Sequence, residues 1–365
     1  MTSRLSGEQP RLIEDAFGEI RRILITLPDY ALREFGGAIR SVLDTLPDRI
    51  ALDVLVSQQS DTGLDAWATH RPNCRLHPAP EGLEFSHWAQ DAVVGMTEGA
   101  APSLLLSSRF ERHDDAAAAT HLAQAANLAL HMTDLPLDGG NVLAMGPQLL
   151  LGADMIAAPD GHLACDPQRQ VLSIGAKTVR APETTVTSSL LPDWREVQRT
   201  GVGEDQSQPL FHLDLFIAPA GMAEEGRPRW LVGCPRLGAE CLGLPLLDHA
   251  DAGLFDAVAA LLQNQGSIVI RTPMPLIWTD QQDQRLRTWY HLPTNNVIVE
   301  ITDTASHVWL PQFAAESWPE LARIDQANRA IWEGLGFTTT PVPGCLPLAE
   351  RRGALRCMLN VVERG

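Results

Sequence analysis

Leu210-Phe211-His212-Leu213-Asp214-Leu215-Phe216-Ile217 is an apolar run that carries two ionisable side chains. In an extended strand, side chains two apart share a face, so a strand reading projects His212 and Asp214 side by side from one wall. Charged groups in an apolar strand are costly unless they are paired or used in chemistry. That leaves a structural ion pair and a catalytic site as the two readings.

The run is one of many short segments rich in Val, Ile and Leu and punctuated by Gly and Pro. They are Arg22–Leu27, Ala51–Ser57, Ser103–Phe110, Asn141–Gly152, Phe211–Ala220, Arg229–Pro235, Gly266–Pro273, Asn296–Thr302, His307–Phe313 and Ala354–Val362, and each reads as a strand. Helical patterns fall between several of them, most clearly at Ala116–Leu130, Asp251–Gln263 and Trp318–Leu335. Strands and helices mixed in this way predict an α/β or α+β fold. No composition shift marks a boundary, so residues 1–365 read as one domain. Within it, the small and polar segment 181–208 reads as a loop or lid excursion.

The 365 residues, 45% hydrophobic and 20% charged, have the composition of a soluble globular protein. The start has no apolar core of signal-peptide length, and no uncharged run approaches the roughly 20 residues that span a bilayer, so no membrane partner and a cytoplasmic location are expected. A formal net charge of -17 argues against nucleic acid as a partner, because phosphate binding needs clustered cations. The same charge suits a cationic substrate. Six cysteines lie scattered without a Cys-x-x-Cys pair, so neither a structural zinc nor a disulfide framework is indicated, and no cofactor or metal is signalled. The serine-hydrolase elbow Gly-x-Ser-x-Gly and the dinucleotide fingerprint Gly-x-Gly-x-x-Gly are both missing.

Four other stretches stand out. Ser86-His87-Trp88-Ala89-Gln90-Asp91 puts Asp91 at the entrance to an apolar segment, where it could cap a turn or face a pocket. Asp138-Gly139-Gly140-Asn141 reads as a tight turn feeding a strand. Asn295-Asn296 opens another strand, a place where side-chain amides commonly satisfy local backbone groups. Arg356-Cys357-Met358 sets a cysteine in a C-terminal strand beside cations that favour its thiolate; taken alone, the cysteine also fits a core position.

In this order, the Trp-x-x-Asp motif, the Asp-Gly-Gly turn, the His-x-Asp run, the Asn-led strand and the late Cys resemble the guanidine-modifying enzymes of the pentein fold, closest to the bacterial peptidylarginine deiminase and agmatine deiminase branch. The resemblance covers about Trp88 to Cys357. It implies a five-bladed α/β propeller of ββαβ-type units around a central active-site channel. It also implies Cys357 as nucleophile and His212 as acid and base, with Asp91 and Asp214 as the carboxylates that grip the guanidinium. Asp138 and Asn295 then support them.

The activity so implied is hydrolysis of an arginine-like, agmatine-like or peptidyl-arginine guanidine to a ureido product and ammonia through a covalent cysteine intermediate. The alternatives are an amidinotransferase that passes the amidino group to an amine, and a non-catalytic pentein-fold binding factor. Gln90 stands where these deiminases often carry Arg, Asp138 where the agmatine branch carries Glu, and Arg356 where that branch carries His. The substrate and the oligomeric state are therefore left open. Arg271 and Arg356 are the candidates to meet a substrate carboxylate.

Overall fold

A computed structural model of the chain describes residues 11–57, 63–99, 101–152, 168–175, 184–186, 193–198 and 208–365. One local plan recurs through it. Ile217–Met222 and Pro228–Cys234 form an antiparallel pair, and Ile268–Pro273 then joins Pro228–Cys234 in parallel after the helix Ala252–Asn264. A parallel third strand needs a crossover long enough to return to the same end of the sheet, which the helix supplies.

The same plan appears in Val93–Glu98, Ala101–Ser107 and Ala129–Thr133, with the helix His113–Ala125 as crossover. It appears again in Ile298–Ile301, Ser306–Pro311 and Thr338–Val342, with the helix Ala322–Gly334. Val142–Met145, Gln148–Gly152 and Gln170–Ile174 repeat the strand pattern. In the fifth sheet the two ends of the chain meet: Asn360–Arg364 pairs antiparallel with Ile20–Leu27, which runs parallel to Ala51–Val56 after the helix Asp29–Thr45. A further sheet joins Thr184–Val186, Arg195–Gln198, Leu286–His291 and Leu276–Gln281. The described part of segment 181–208 thus includes paired strands; its other residues lie outside the described set.

Large side chains fill the spaces between sheets. Trp230, Trp289, Trp309 and Trp332 are buried, each worth about 4–6 kcal/mol of area burial before entropy is charged against it. Their polar edges are provided for where the sheets meet. The Trp230 indole N–H donates to Gln148 Oε1 at 2.8 Å, tying the sheet of Pro228–Cys234 to that of Gln148–Gly152.

Two sequence expectations are corrected. Phe211–Ala220 is not one strand, because Leu213–Leu215 winds a 3₁₀ turn that Phe216 N–H closes onto the Leu213 carbonyl. His212 is extended just before that turn, so it and Asp214 do not share a strand face. Ala354–Val362 likewise splits into a one-turn helix, Leu355–Met358, and the strand Asn360–Arg364, which places Cys357 on the helix.

Candidate active site

The repeated plan places the candidate residues at equivalent points. Asp91 precedes Val93–Glu98, Asp138 precedes Val142–Met145, His212 and Asp214 precede Ile217–Met222, Asn296 precedes Ile298–Ile301, and Cys357 precedes Asn360–Arg364. Each lies a few residues ahead of the strand that stands first in the plan of its sheet, the one paired antiparallel with the next. Side chains as much as 266 positions apart in sequence can therefore meet at one place.

His212 is held from all sides. Asn141 Oδ1 accepts from Leu213 N–H at 3.2 Å and Asn141 Nδ2 donates to the Phe211 carbonyl at 2.9 Å, clamping the backbone on either side of the imidazole. Gly140 packs beneath the ring so closely that a Cβ there would lie 2.3 Å from His212 Nδ1. A Cβ on Gly139 would lie 1.9 Å from the Gln90 carbonyl oxygen. Neither glycine has a positive φ, so the Gly-Gly pair serves close approach rather than the turn conformation.

The carboxylate partner of His212 is not Asp214. Nε2 lies 2.8 Å from Asp138 Oδ1 and Nδ1 lies 3.8 Å from Asp91 Oδ1. The Asp138 contact is an ion-pair distance without an aligned ring N–H. Burial disfavours the imidazolium, but Asp138 and Asp91 outweigh it and raise the pKa above 6.5.

Cys357 is 2% exposed and is positioned by Asn296 rather than by Asn295. Asn296 Oδ1 accepts from Ala354 N–H at 3.0 Å and from Cys357 N–H at 3.1 Å. Its Nδ2 reaches the Asp214 carbonyl and Cys357 Sγ, both at 3.2 Å. Asn295 instead accepts from the Thr272 hydroxyl and donates to the Phe216 carbonyl. The expectation that cations favour the Cys357 thiolate is overturned. Burial pushes this thiol well above its ordinary range, and the negative charges of Asp214 and Asp91 push it further. Asp214 oxygens lie 3.8 and 4.0 Å from Sγ, and the adjacent Arg356 is turned onto Asp214.

Asp91 and Asp214 each give one oxygen to an internal guanidinium. Arg112 Nη2 contacts Asp91 Oδ2, while its Nη1 lies 3.1 Å from Asp115. Arg356 Nη1 donates to Asp214 Oδ2 at 2.8 Å. The other oxygens have different surroundings: Asp91 Oδ1 has no hydrogen-bond partner, and Asp214 Oδ1 lies 4.0 Å from Sγ, slightly farther from it than Oδ2 at 3.8 Å. Burial lifts the Asp91 pKa to about 6 although Arg112 opposes it, and burial raises Asp214 against the pull of Arg356. Arg112 also lines a cleft of about 880 Å³ with Tyr30, Glu84, Ser86 and Asp115. Of the cations expected to meet a substrate carboxylate, Arg356 is spent on Asp214 and Asp15, and Arg271 pairs with Asp256 at 2.7 Å. Sequence reading missed Arg112, Asn141 and Asn296 as site residues. Only the Asn-Asn pair carried a signal, and it did not say which amide faces the thiol.

One metal-ligating set exists among the described residues. Ligand atoms of Asp91, Asp138 and His212 lie within 4.8 Å of one another, close enough to hold a divalent ion. Arg112 sets a fixed cation against Asp91, which competes with an ion there.

No family model matches the chain, and no curated protein does either. Solved structures do. Agmatine deiminase of C. jejuni superposes with a TM-score of 0.62 at 11% identity over 100% of this chain and 99% of its own. A cysteine-to-serine variant of that enzyme with substrate bound matches equally well. A structure under the provisional name peptidyl-arginine deiminase has a TM-score of 0.62 at 13% identity over 98% of this chain and 99% of its own. The mixed α/β architecture is therefore the pentein fold. These matched structures are deiminases by name, and the likeness extends along the whole chain.

Proposed function

We propose that the chain is a cysteine hydrolase converting a small cationic guanidino compound into its ureido derivative and ammonia. The observation that carries this reading is the convergence of one thiol, one imidazole and three carboxylates in one buried cluster, each ahead of a first strand, in the fold of agmatine deiminase. We take the five like sheets as blades of a single propeller domain. In support, the first strands of four of them line one internal cavity of about 30 Å³. Among the described residues no helix is long and apolar enough to cross a membrane, and the formal net charge of the chain is -17; we propose the cytoplasm as its location.

A guanidinium is planar and cationic, so anchoring it calls for carboxylates that accept in its plane. Asp91 Oδ1 and Asp214 Oδ1 are the oxygens left for that task. Before substrate arrives, burial and the same two charges keep the Cys357 thiol protonated. The incoming cation offsets them and lowers the thiol pKa, so that the thiol proton passes to solvent and the thiolate forms where it is needed. Attack of sulfur on the central carbon forms the C–S bond. The imidazolium of His212, sustained by Asp138, protonates the departing nitrogen, the C–N bond breaks and ammonia leaves. Neutral His212 then takes a proton from water as it attacks the thiouronium carbon, and breaking of the C–S bond returns the thiol.

Screening arginine, agmatine, methylated arginines and arginyl peptides tests this, with ammonia and ureido product both measured. Stoichiometric release of the two from at least one compound is expected. Transfer of the amidino group to an added amine without ammonia would replace hydrolysis with amidinotransfer, and binding without turnover would leave a non-catalytic factor.

A further inference from the structure

Behind the site, residues 13–19 thread across several sheets, with backbone hydrogen bonds to Gly95, Ala144, Ile301 and Gly365 in turn. Asp15 faces inward from this segment. Its Oδ1 accepts from Arg356 Nη2 at 2.7 Å and Nε at 3.2 Å, and its Oδ2 accepts from Ala144 N–H at 2.6 Å. Arg356, 7% exposed, also donates to the Val142 carbonyl and lies between Asp15 and the fully buried Asp214. One cation between two anions leaves the triad with a single net negative charge.

We propose, resting on the deiminase reading of this pocket, that Asp15 is a positioning residue that holds Arg356 back from Asp214. Two of Arg356's nitrogens are committed to Asp15, so the guanidinium offers Asp214 one N–H and leaves Asp214 Oδ1 to the Cys357 thiol alone, 4.0 Å away. Without the Asp15 charge, Arg356 and Asp214 become a closed neutral pair. The pocket then loses both an acceptor for the substrate and the negative charge that attracts it.

The experiment compares wild type, D15N, D15E and the double variant D15N/R356Q. It reads steady-state kinetics on the best guanidine and the pH dependence of iodoacetamide labelling at the Cys357 peptide. The charges acting on that titration are Asp214 and Asp91, with Arg356, Arg112, His212 and Asp138 acting on those two carboxylates. D15N is expected to raise KM about tenfold, the worth of one charged hydrogen bond, with a smaller change in kcat. It is also expected to lower the thiol's labelling pKa by about one unit, because Arg356 then offsets the Asp214 charge beside Sγ. D15E keeps the charge and the wild-type profile. The double variant removes cation and anion together, keeps the single net negative charge but leaves it on Asp214 without its guanidinium, and so holds the labelling profile at or above that of wild type. A wild-type KM and labelling profile in D15N overturns the proposal. If D15N does not fold, a downward labelling shift in the double variant overturns it instead. A protein that turns over no guanidine at all still shows or lacks the labelling shift, so failure of the deiminase reading is distinguishable from failure of this one.

Discussion

Asn296→Ala removes the residue on which Cys357 depends, and its cost can be worked from the contacts. The fully buried amide satisfies the N–H groups of Ala354 and Cys357 and the carbonyl of Asp214. Truncation leaves two buried N–H groups without a partner at about 1–3 kcal/mol each, so a loss of about 2–6 kcal/mol is expected. That is a large share of the about 5–15 kcal/mol that ordinarily separates folded from unfolded states. Urea unfolding reads it as a lower midpoint at unchanged slope. Asn296→Asp separates stability from chemistry: it keeps the acceptor for both N–H groups but sets a further negative charge beside Sγ, so labelling of Cys357 should move to higher pH. Asn295→Ala also destabilises, through Thr272 and Phe216, yet should leave the Cys357 labelling profile in place. A loss below about 1 kcal/mol in Asn296→Ala, or equal labelling shifts at both positions, would refute the reasoning.

Gly140→Ala forces the His212 ring from a position only 2.3 Å from the new Cβ, and kcat should fall about 100-fold, far more than stability suffers. Because the Asp91 carboxyl titrates at about 6 instead of 3.8, kcat/KM should fall on acidification through about pH 6, well above the range of an ordinary aspartate. Arg112 opposes that rise, so Arg112→Gln should move the acid limb to still higher pH; an unmoved limb would assign it to another group. Activity should survive exhaustive treatment with EDTA, and a loss restored by added divalent ion would instead make Asp91, Asp138 and His212 metal ligands.

The mixed α/β class was legible because it leaves local marks: short apolar strands ended by Gly or Pro, separated by helices such as Ala252–Asn264; the repeated plan was not, because pairing of the strands leaves no readable sequence repeat. The residue types of the site were legible as polar groups in apolar surroundings. Their partners were not. His212 and Asp214 looked like a strand pair because alternation is a local rule. The amide of Asn141, 72 positions away from Leu213, helps hold a turn that turns the two apart. Asp15 and Arg356, 341 positions apart, leave no joint trace in the sequence. The Cys357 environment was inverted for the same reason. The neighbouring arginine suggested a stabilised thiolate, but only the folded arrangement commits that cation to Asp214 and buries the thiol between carboxylates.

The most direct test of the central claim is ammonia release by wild type and by Cys357→Ala from the guanidine that the screen selects, followed by mass analysis of acid-quenched turnover mixtures. The account predicts no enzymatic ammonia from Cys357→Ala, and in the wild type a Cys357 peptide carrying the substrate less ammonia. Ammonia formed by Cys357→Ala at the wild-type rate would contradict it.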